Sequence, residues 1–205
     1  MSEAPVGWRG GLGKGTGAVK DQDRGSEYQR RVLALEHEDL LKLWSGLRVG
    51  VTPADWPPGV LLEYLLLRAF QLEGAEVTWP YRVYRGRVLL EQIDGVVYFD
   101  GVTCLVEAKN VTRPVDTVAL VKLKSLLLRR PRTTFGALFI TGQISEAAFT
   151  LAQMLPPPDV LLWEGKEVEW ALRGRRLLEG MRRKLRYAVE TGFSDLDLVK
   201  ERDAS

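Results

Sequence analysis

Residues 92–110, QIDGVVYFDGVTCLVEAKN, decide how this chain is read. Asp100-Gly101 is a two-residue hairpin signal, flanked by the apolar runs VVYF and VTCLV. In a hairpin closed by that turn, Phe99 pairs with Val102. The register then runs down the ladder until Asp94 lies opposite Glu107. Directly paired residues of an antiparallel ladder project to one face, their Cβ atoms roughly 4.5–5.5 Å apart. The period of two puts Lys109 on the same face as Glu107 and turns Val106 and Ala108 to the opposite face, into the core. A glycine within a strand marks a bulge or a close backbone approach, and a bulge at Gly95 would shift this register by one.

Two carboxylates held so close repel unless a cation lies between them. Hydrolysis of a phosphodiester needs a nucleophilic water, a Lewis acid on the phosphoryl oxygen and charge relief for the leaving oxygen. A hard divalent cation meets the second need and helps with the others. Asp94 and Glu107 suit Mg²⁺, with Mn²⁺ able to substitute, and the Ala108 carbonyl between Glu107 and Lys109 is a natural third ligand. Lys109 can orient the water or stabilise developing charge. The competing reading is a strand-end ion pair of Glu107 and Lys109, which leaves Asp94 unbalanced.

Working outward, 59–73 (GVLLEYLLLRAFQLE) predicts a helix that is apolar round most of its circumference and stopped by Gly74. Glu63 interrupts that surface and requires water, a cation or a donor. A pair with Arg68 or a lysine satisfies it structurally, and a place beside Asp94 satisfies it functionally. Upstream, 26–48 predicts one helix from its stripe of Tyr28, Val32, Leu35, Leu40, Leu43, Trp44 and Leu47. It is a separable extension (26–52) that could pack on the core or on a second copy, which leaves room for a homodimer. Residues 1–25 read as a disordered tail. Their GGLGKGTG does not meet the phosphate-loop pattern, because Gly15 follows Lys14.

Strands are expected at 75–84, with Pro80 marking an edge or bend, at 88–99 with a bend at Asp94-Gly95, and at 102–109. A helix at 114–130, a strand at 135–141, a helix at 145–155 capped by Ser145 and a strand at 160–163 follow. A basic helix begins near Glu167, with interruptions expected at Gly174 and Gly180, and 193–205 reads as a polar tail. The core domain is therefore 53–166, an α/β fold in which a mixed β-sheet is flanked by helices in the order αβββαβαβ.

With 205 residues, 45% hydrophobic and 27% charged, the chain has the composition of an ordinary soluble domain. One cysteine, Cys104, excludes an intramolecular disulfide and a multi-cysteine zinc site, and fits a cytoplasmic protein with a buried core thiol. The single histidine, His37, sits in the charged stretch EHED and reads as a surface residue, and a Ser-His-Asp triad or histidine-based metal site would have to be built around it alone. No apolar run suits a membrane span. The net charge of +2 says little, but 173–186 (RGRRLLEGMRRKLR) concentrates cations that suit an anionic partner or a solvated face.

Asp94 and Glu107-Ala108-Lys109, placed on these strands, resemble the motif of the PD-(D/E)xK nuclease superfamily. The text IDGVV and LVEAKN is similar to nuclease-related (NERD-type) and Mrr-like domains. The resemblance covers about 59–163 and implies a restriction-endonuclease-like fold, with Asp94 and Glu107 as metal ligands, Lys109 as the catalytic lysine and Glu63 as an accessory acid. It implies a Mg²⁺-dependent endonuclease acting on DNA, in defence or repair, although nothing in the residues separates DNA from RNA. Many relatives carry a glutamine on the helix after the lysine strand; here that helix offers Lys122, Lys124 and Ser125. The nucleic-acid-binding set expected on charge is Lys122, Lys124, Arg129, Arg130, Arg182, Arg183 and Lys184, although cations at a helix C-terminus also complement its dipole. The alternatives are a non-catalytic nucleic-acid-binding module of the same fold and an enzyme specific for branched DNA.

Overall fold

The computed structural model describes residues 16–57, 59–111 and 113–203. In chain order its elements are α1 (Thr16–Leu33), α2 (His37–Arg48), α3 (Val60–Leu72), β1 (Glu76–Thr78), β2 (Tyr81–Arg85), β3 (Val88–Ile93), β4 (Gly95–Phe99), β5 (Val102–Lys109), α4 (Thr117–Leu127), β6 (Thr134–Ile140), α5 (Glu146–Met154), β7 (Val160–Trp163), α6 (Gly165–Gly174), α7 (Leu177–Thr191) and α8 (Leu198–Asp203).

Five strands form a mixed sheet in the order β1-β4-β5-β6-β7, antiparallel as far as β5 and parallel beyond it. The parallel joints require crossovers, and α4 and α5 supply them. Alternation along the strands divides the apolar side chains between two cores. Val97, Phe99, Cys104, Val106 and Ala108 face α2, α3, α6 and α7. Val96, Leu105, Leu138, Ile140 and Leu162 face α4 and α5. Cys104 is a buried free thiol, as its apolar neighbours predict.

The hairpin register is the one the turn dictates: Phe99 pairs with Val102 and Gly95 with Val106, with no bulge between them. Gly95 is explained by close approach. A Cβ there would sit 2.5 Å from Leu67 Cδ2, so only glycine lets α3 lie this close to β4. Immediately before it, at Asp94, the chain leaves the main sheet, and β3 pairs with β2 in a separate two-stranded ribbon. Glu91 of β3 fastens that ribbon to α4: it is 7% exposed and accepts from Arg130 at 2.6 Å, with Arg129 at 3.0 Å.

Several expectations need correction. Helical structure begins at Thr16, inside the expected tail; residues 1–15 lie outside the described residues. The single helix expected over 26–48 is two, broken at 34–36, where Glu36 caps α2 in a box with Asp39. Both pack on the chain's own core through Val32, Leu40, Trp44 and Leu47. His37 is 9% exposed rather than on the surface, and burial lowers its pKa. The C-terminal helix breaks at Gly174 but passes through Gly180, whose missing side chain admits the Trp163 ring. The expected polar tail instead folds back as α8, with Leu198 fully buried and its N–H donating to Glu167 Oε1 at 3.1 Å.

Candidate active site

The site lies just before β4 begins, beside the C-terminal end of β5. Asp94 is 4% exposed and Glu107 1% exposed. They are cross-strand neighbours on the face that also carries Val96 and Leu105. Because β4 has already turned away, the Ala108 N–H lacks a ladder partner there and donates instead to Asp94 Oδ2 at 2.9 Å. The N–H and C=O of a strand residue point to the same side. The Ala108 carbonyl is therefore directed toward Asp94, whereas the Lys109 carbonyl points the other way and accepts from the Thr141 N–H at 3.1 Å.

Two amines converge on Glu107. Lys109 Nζ lies 2.6 Å from Oε1, and Lys122 Nζ, reaching up from α4, lies 2.8 and 2.7 Å from the two oxygens. Both lysines keep about a third of their side-chain surface exposed (36% and 39%), so each spans from buried acid to solvent. Glu63, in the first turn of α3, approaches from the opposite face of the sheet. Arg68 does not pair with it, turning to the Leu35 carbonyl at 3.1 Å and Gln71 at 2.8 Å.

The electrostatics follow from three acids sharing two amines. Burial, then the charge of Asp94, pushes the Glu63 carboxyl up to about 8, with Lys109 opposing. Burial and Glu107 push Asp94 to about 6, against the stabilising Ala108 N–H. Burial would lower Lys109, but its hydrogen bond to Glu107 and the surrounding acids outweigh that and raise it. Such a site holds protons in the absence of a metal and would release them to a cation.

Among the described residues no three Asp, Glu, His or Cys side chains form a ready metal cage. Two carboxylates and one backbone carbonyl could hold a cation such as Mg²⁺, which keeps several waters and takes only one or two protein carboxylates.

No protein-family profile matches the chain, and no curated protein matches it. Among solved structures it is similar to AF1548, a protein of unknown function, at 20% identity and a TM-score of 0.44, over 63% of this chain and 76% of that one. It is also similar to the MspJI restriction endonuclease in complex with a 27-mer oligonucleotide, at 18% identity and a TM-score of 0.35, over 69% of this chain and 31% of that one. The chain thus spans about a third of MspJI. At this level of likeness, function has to be argued from the site itself.

Of the expected nucleic-acid-binding residues, only Lys122 reaches the acid cluster. Lys124 is 15% exposed in its side chain and ties down the loop before β7 through Asp159 at 2.5 Å and the Leu155 carbonyl at 2.7 Å. Arg129 and Arg130 hold Glu91. Arg182 grips Asp100 at the hairpin turn. That turn lies at the other end of β5 from Lys109, roughly 24 Å away at ~3.4 Å per residue. Arg183 stands over the Trp170 ring. Lys184 is the clearest correction: it is 1% exposed, lies 2.6 Å from Glu167 Oε1 and donates to the Leu196 carbonyl, pinning the C-terminal segment from inside. Charge count alone could not reveal this, because a basic helix hides one cation as readily as it shows seven. Sequence reasoning also passed over the aromatic residues around Glu63, although their density in 79–84 (WPYRVY) was a visible signal.

Proposed function

We propose that this protein is a divalent-metal-dependent nuclease of restriction-endonuclease-like fold that hydrolyses phosphodiester bonds of DNA. The observation that carries the reading is that Asp94 and Glu107 lie side by side just beyond the last β4–β5 pair, Gly95 with Val106, with Asp94 on the Ala108 N–H and Lys109 and Lys122 on Glu107. Asp94, Glu107 and the Ala108 carbonyl would hold Mg²⁺, or Mn²⁺ in its place. The bound cation would polarise the phosphoryl oxygen and lower the pKa of a water. The residues themselves do the rest. Asp94 is held in place by the Ala108 N–H, so its free oxygen faces the space beside Glu107. Lys109 and Lys122 neutralise Glu107 before a cation arrives. Once that charge is met elsewhere, their ammonium groups can face the phosphate, Lys109 orienting the water and Lys122 binding a non-bridging oxygen. Lys122 would take the role that the resemblance gives to a glutamine on this helix. Glu63 is an accessory acid that, with its carboxyl raised to about 8, carries a proton at neutral pH and can donate it.

The test is a cleavage assay on supercoiled, linear, branched and single-stranded DNA, and on RNA, with Mg²⁺ or Mn²⁺. Asp94→Asn and Lys109→Ala proteins that cut as fast as the wild type would sink the reading. One observation favours a second reading, a binding module without catalysis: both Glu107 oxygens are already engaged by Lys122. DNA binding with no cleavage under any divalent metal would select it.

A further inference from the structure

A cavity of about 580 Å³ lies between α1, α3 and the β2–β3 ribbon, and Glu63 forms part of its wall. Its other walls are largely aromatic: Tyr28, Tyr64, Trp79, Tyr81 and Tyr84. Tyr64 and Trp79 stack with ring centroids 5.6 Å apart and planes 19° apart, and Tyr28 meets Tyr64 edge-on at 5.9 Å. The deep part of this cluster is core, since Tyr64 is 4% exposed. Toward the ribbon the lining opens: Trp79, between β1 and β2, and Tyr81 are half-buried with one side packed on the core, and Tyr84 is 48% exposed. Ser26, Gln29, Arg82 and Gln92, with Glu63, add polar groups between the aromatic faces.

The cavity adjoins the acid cluster at two points, Glu63 and Gln92, the latter two residues before Asp94. Glu63 belongs to both, lining the cavity while its carboxyl feels the charges of Asp94, Lys109 and Glu107. A strand whose phosphodiester lay at Asp94 and Glu107 would therefore place an adjacent nucleoside at the cavity.

We propose that this aromatic cavity receives an unpaired nucleobase next to the scissile phosphodiester, so that the substrate is DNA with single-stranded or splayed-out nucleotides at the cut. The inference rests on the nuclease reading and adds the substrate class to it. A volume of this size suits one nucleoside with room for water. Bases stack on Tyr and Trp faces without sequence preference, so the aromatic walls would hold any base. A base within an intact duplex cannot enter a concave site beside its own phosphate without leaving the stack. The ribbon supplies the attraction for the backbone, with Arg85 and Arg87 exposed at its tip. The Glu91–Arg130 bond holds that ribbon, and hence the cavity wall, against α4.

The experiment uses the full chain with Ca²⁺, to allow binding without turnover. Fluorescence anisotropy compares a labelled oligothymidylate with a duplex of equal length, for wild type, Trp79→Ala and Tyr84→Ala. An oligothymidylate carrying 5-iododeoxyuridine is photo-crosslinked and the adduct mapped by peptide. Tyr84 is exposed enough that its substitution leaves the fold intact if Trp79→Ala does not. The single strand is expected to bind more tightly than the duplex, each variant to weaken single-strand binding about tenfold, and the crosslink to fall within 79–84. Equal affinity for both forms, unchanged binding by Tyr84→Ala, a crosslink elsewhere, or no binding at all overturns the proposal. Separate readouts distinguish the two readings. Cleavage of plain duplex with no crosslink at 79–84 overturns the cavity's role and keeps the nuclease. A crosslink at 79–84 with no cleavage under Mg²⁺ or Mn²⁺ does the reverse.

Discussion

Replacing Glu63 with glutamine should stabilise the metal-free protein, by an amount that grows with pH. Burial and Asp94 hold the Glu63 carboxyl at about 8, against 4.5 for an ordinary glutamate. The folded-state value lies above the unfolded one, so the folded state binds the extra proton. The stabilisation this provides is complete below about 4.5 and is lost as pH rises toward 8. At ~1.36 kcal/mol per pH unit, the loss between 4.5 and pH 7 has a ceiling of ~3.4 kcal/mol. Asp94 shares the same repulsion and the two lysines relieve part of it, so about 2 kcal/mol is the expected difference at neutral pH. Glutamine keeps the shape and never ionises, so the variant escapes this loss. Urea unfolding followed by tryptophan fluorescence, in EDTA at pH 5 and pH 7, measures it. The variant should lie close to wild type at pH 5 and clearly above it at pH 7. A variant equally or less stable at pH 7, or a difference that does not change with pH, would refute the account of Glu63 as a carboxyl held in an acidic cluster.

Three further outcomes follow from the same geometry. Because Asp94 is raised to about 6, Mg²⁺ affinity measured by calorimetry should fall as pH drops through that value, with protons released on binding above background. Lys184→Ala should cost about 3–5 kcal/mol by leaving Glu167 buried and unpaired, while Lys184→Met with Glu167→Met recovers much of it; DNA affinity of the folded protein should not change, since Lys184 is 1% exposed. Gly95→Ala should cost about 1–3 kcal/mol through overpacking against Leu67 and depress activity by displacing Asp94, and a double-mutant cycle with Leu67→Ala should show coupling between them.

The grouping of the candidate residues was legible where local rules act alone. The turn at Asp100-Gly101 fixes the β4–β5 register, and register with period two is enough to gather Asp94, Glu107 and Lys109 on one face. The α-β-α-β run from α4 to β7 was equally readable, because Asp116 and Ser145 cap their helices and the strands are short apolar runs. What the sequence did not reveal depends on tertiary contact. Lys122 and Lys124 are two residues apart on one helix, yet one meets Glu107 and the other Asp159, a distinction set by how α4 lies on the sheet. Lys184 looks like its basic neighbours until Glu167 is placed opposite it. His37 sits in a charged stretch but is buried by packing. The aromatic cavity draws on α1, α3 and the ribbon, three segments with no local reason to meet.

The central claim is that Asp94 and Glu107 together hold a catalytic metal. Nicking of supercoiled plasmid under Mg²⁺, compared between wild type, Asp94→Asn and Glu107→Gln with folding verified for each, tests it most directly. The account predicts nicking by wild type that stops in EDTA and falls to background in both variants. Nicking that survives EDTA, or that either variant performs at the wild-type rate, would contradict it.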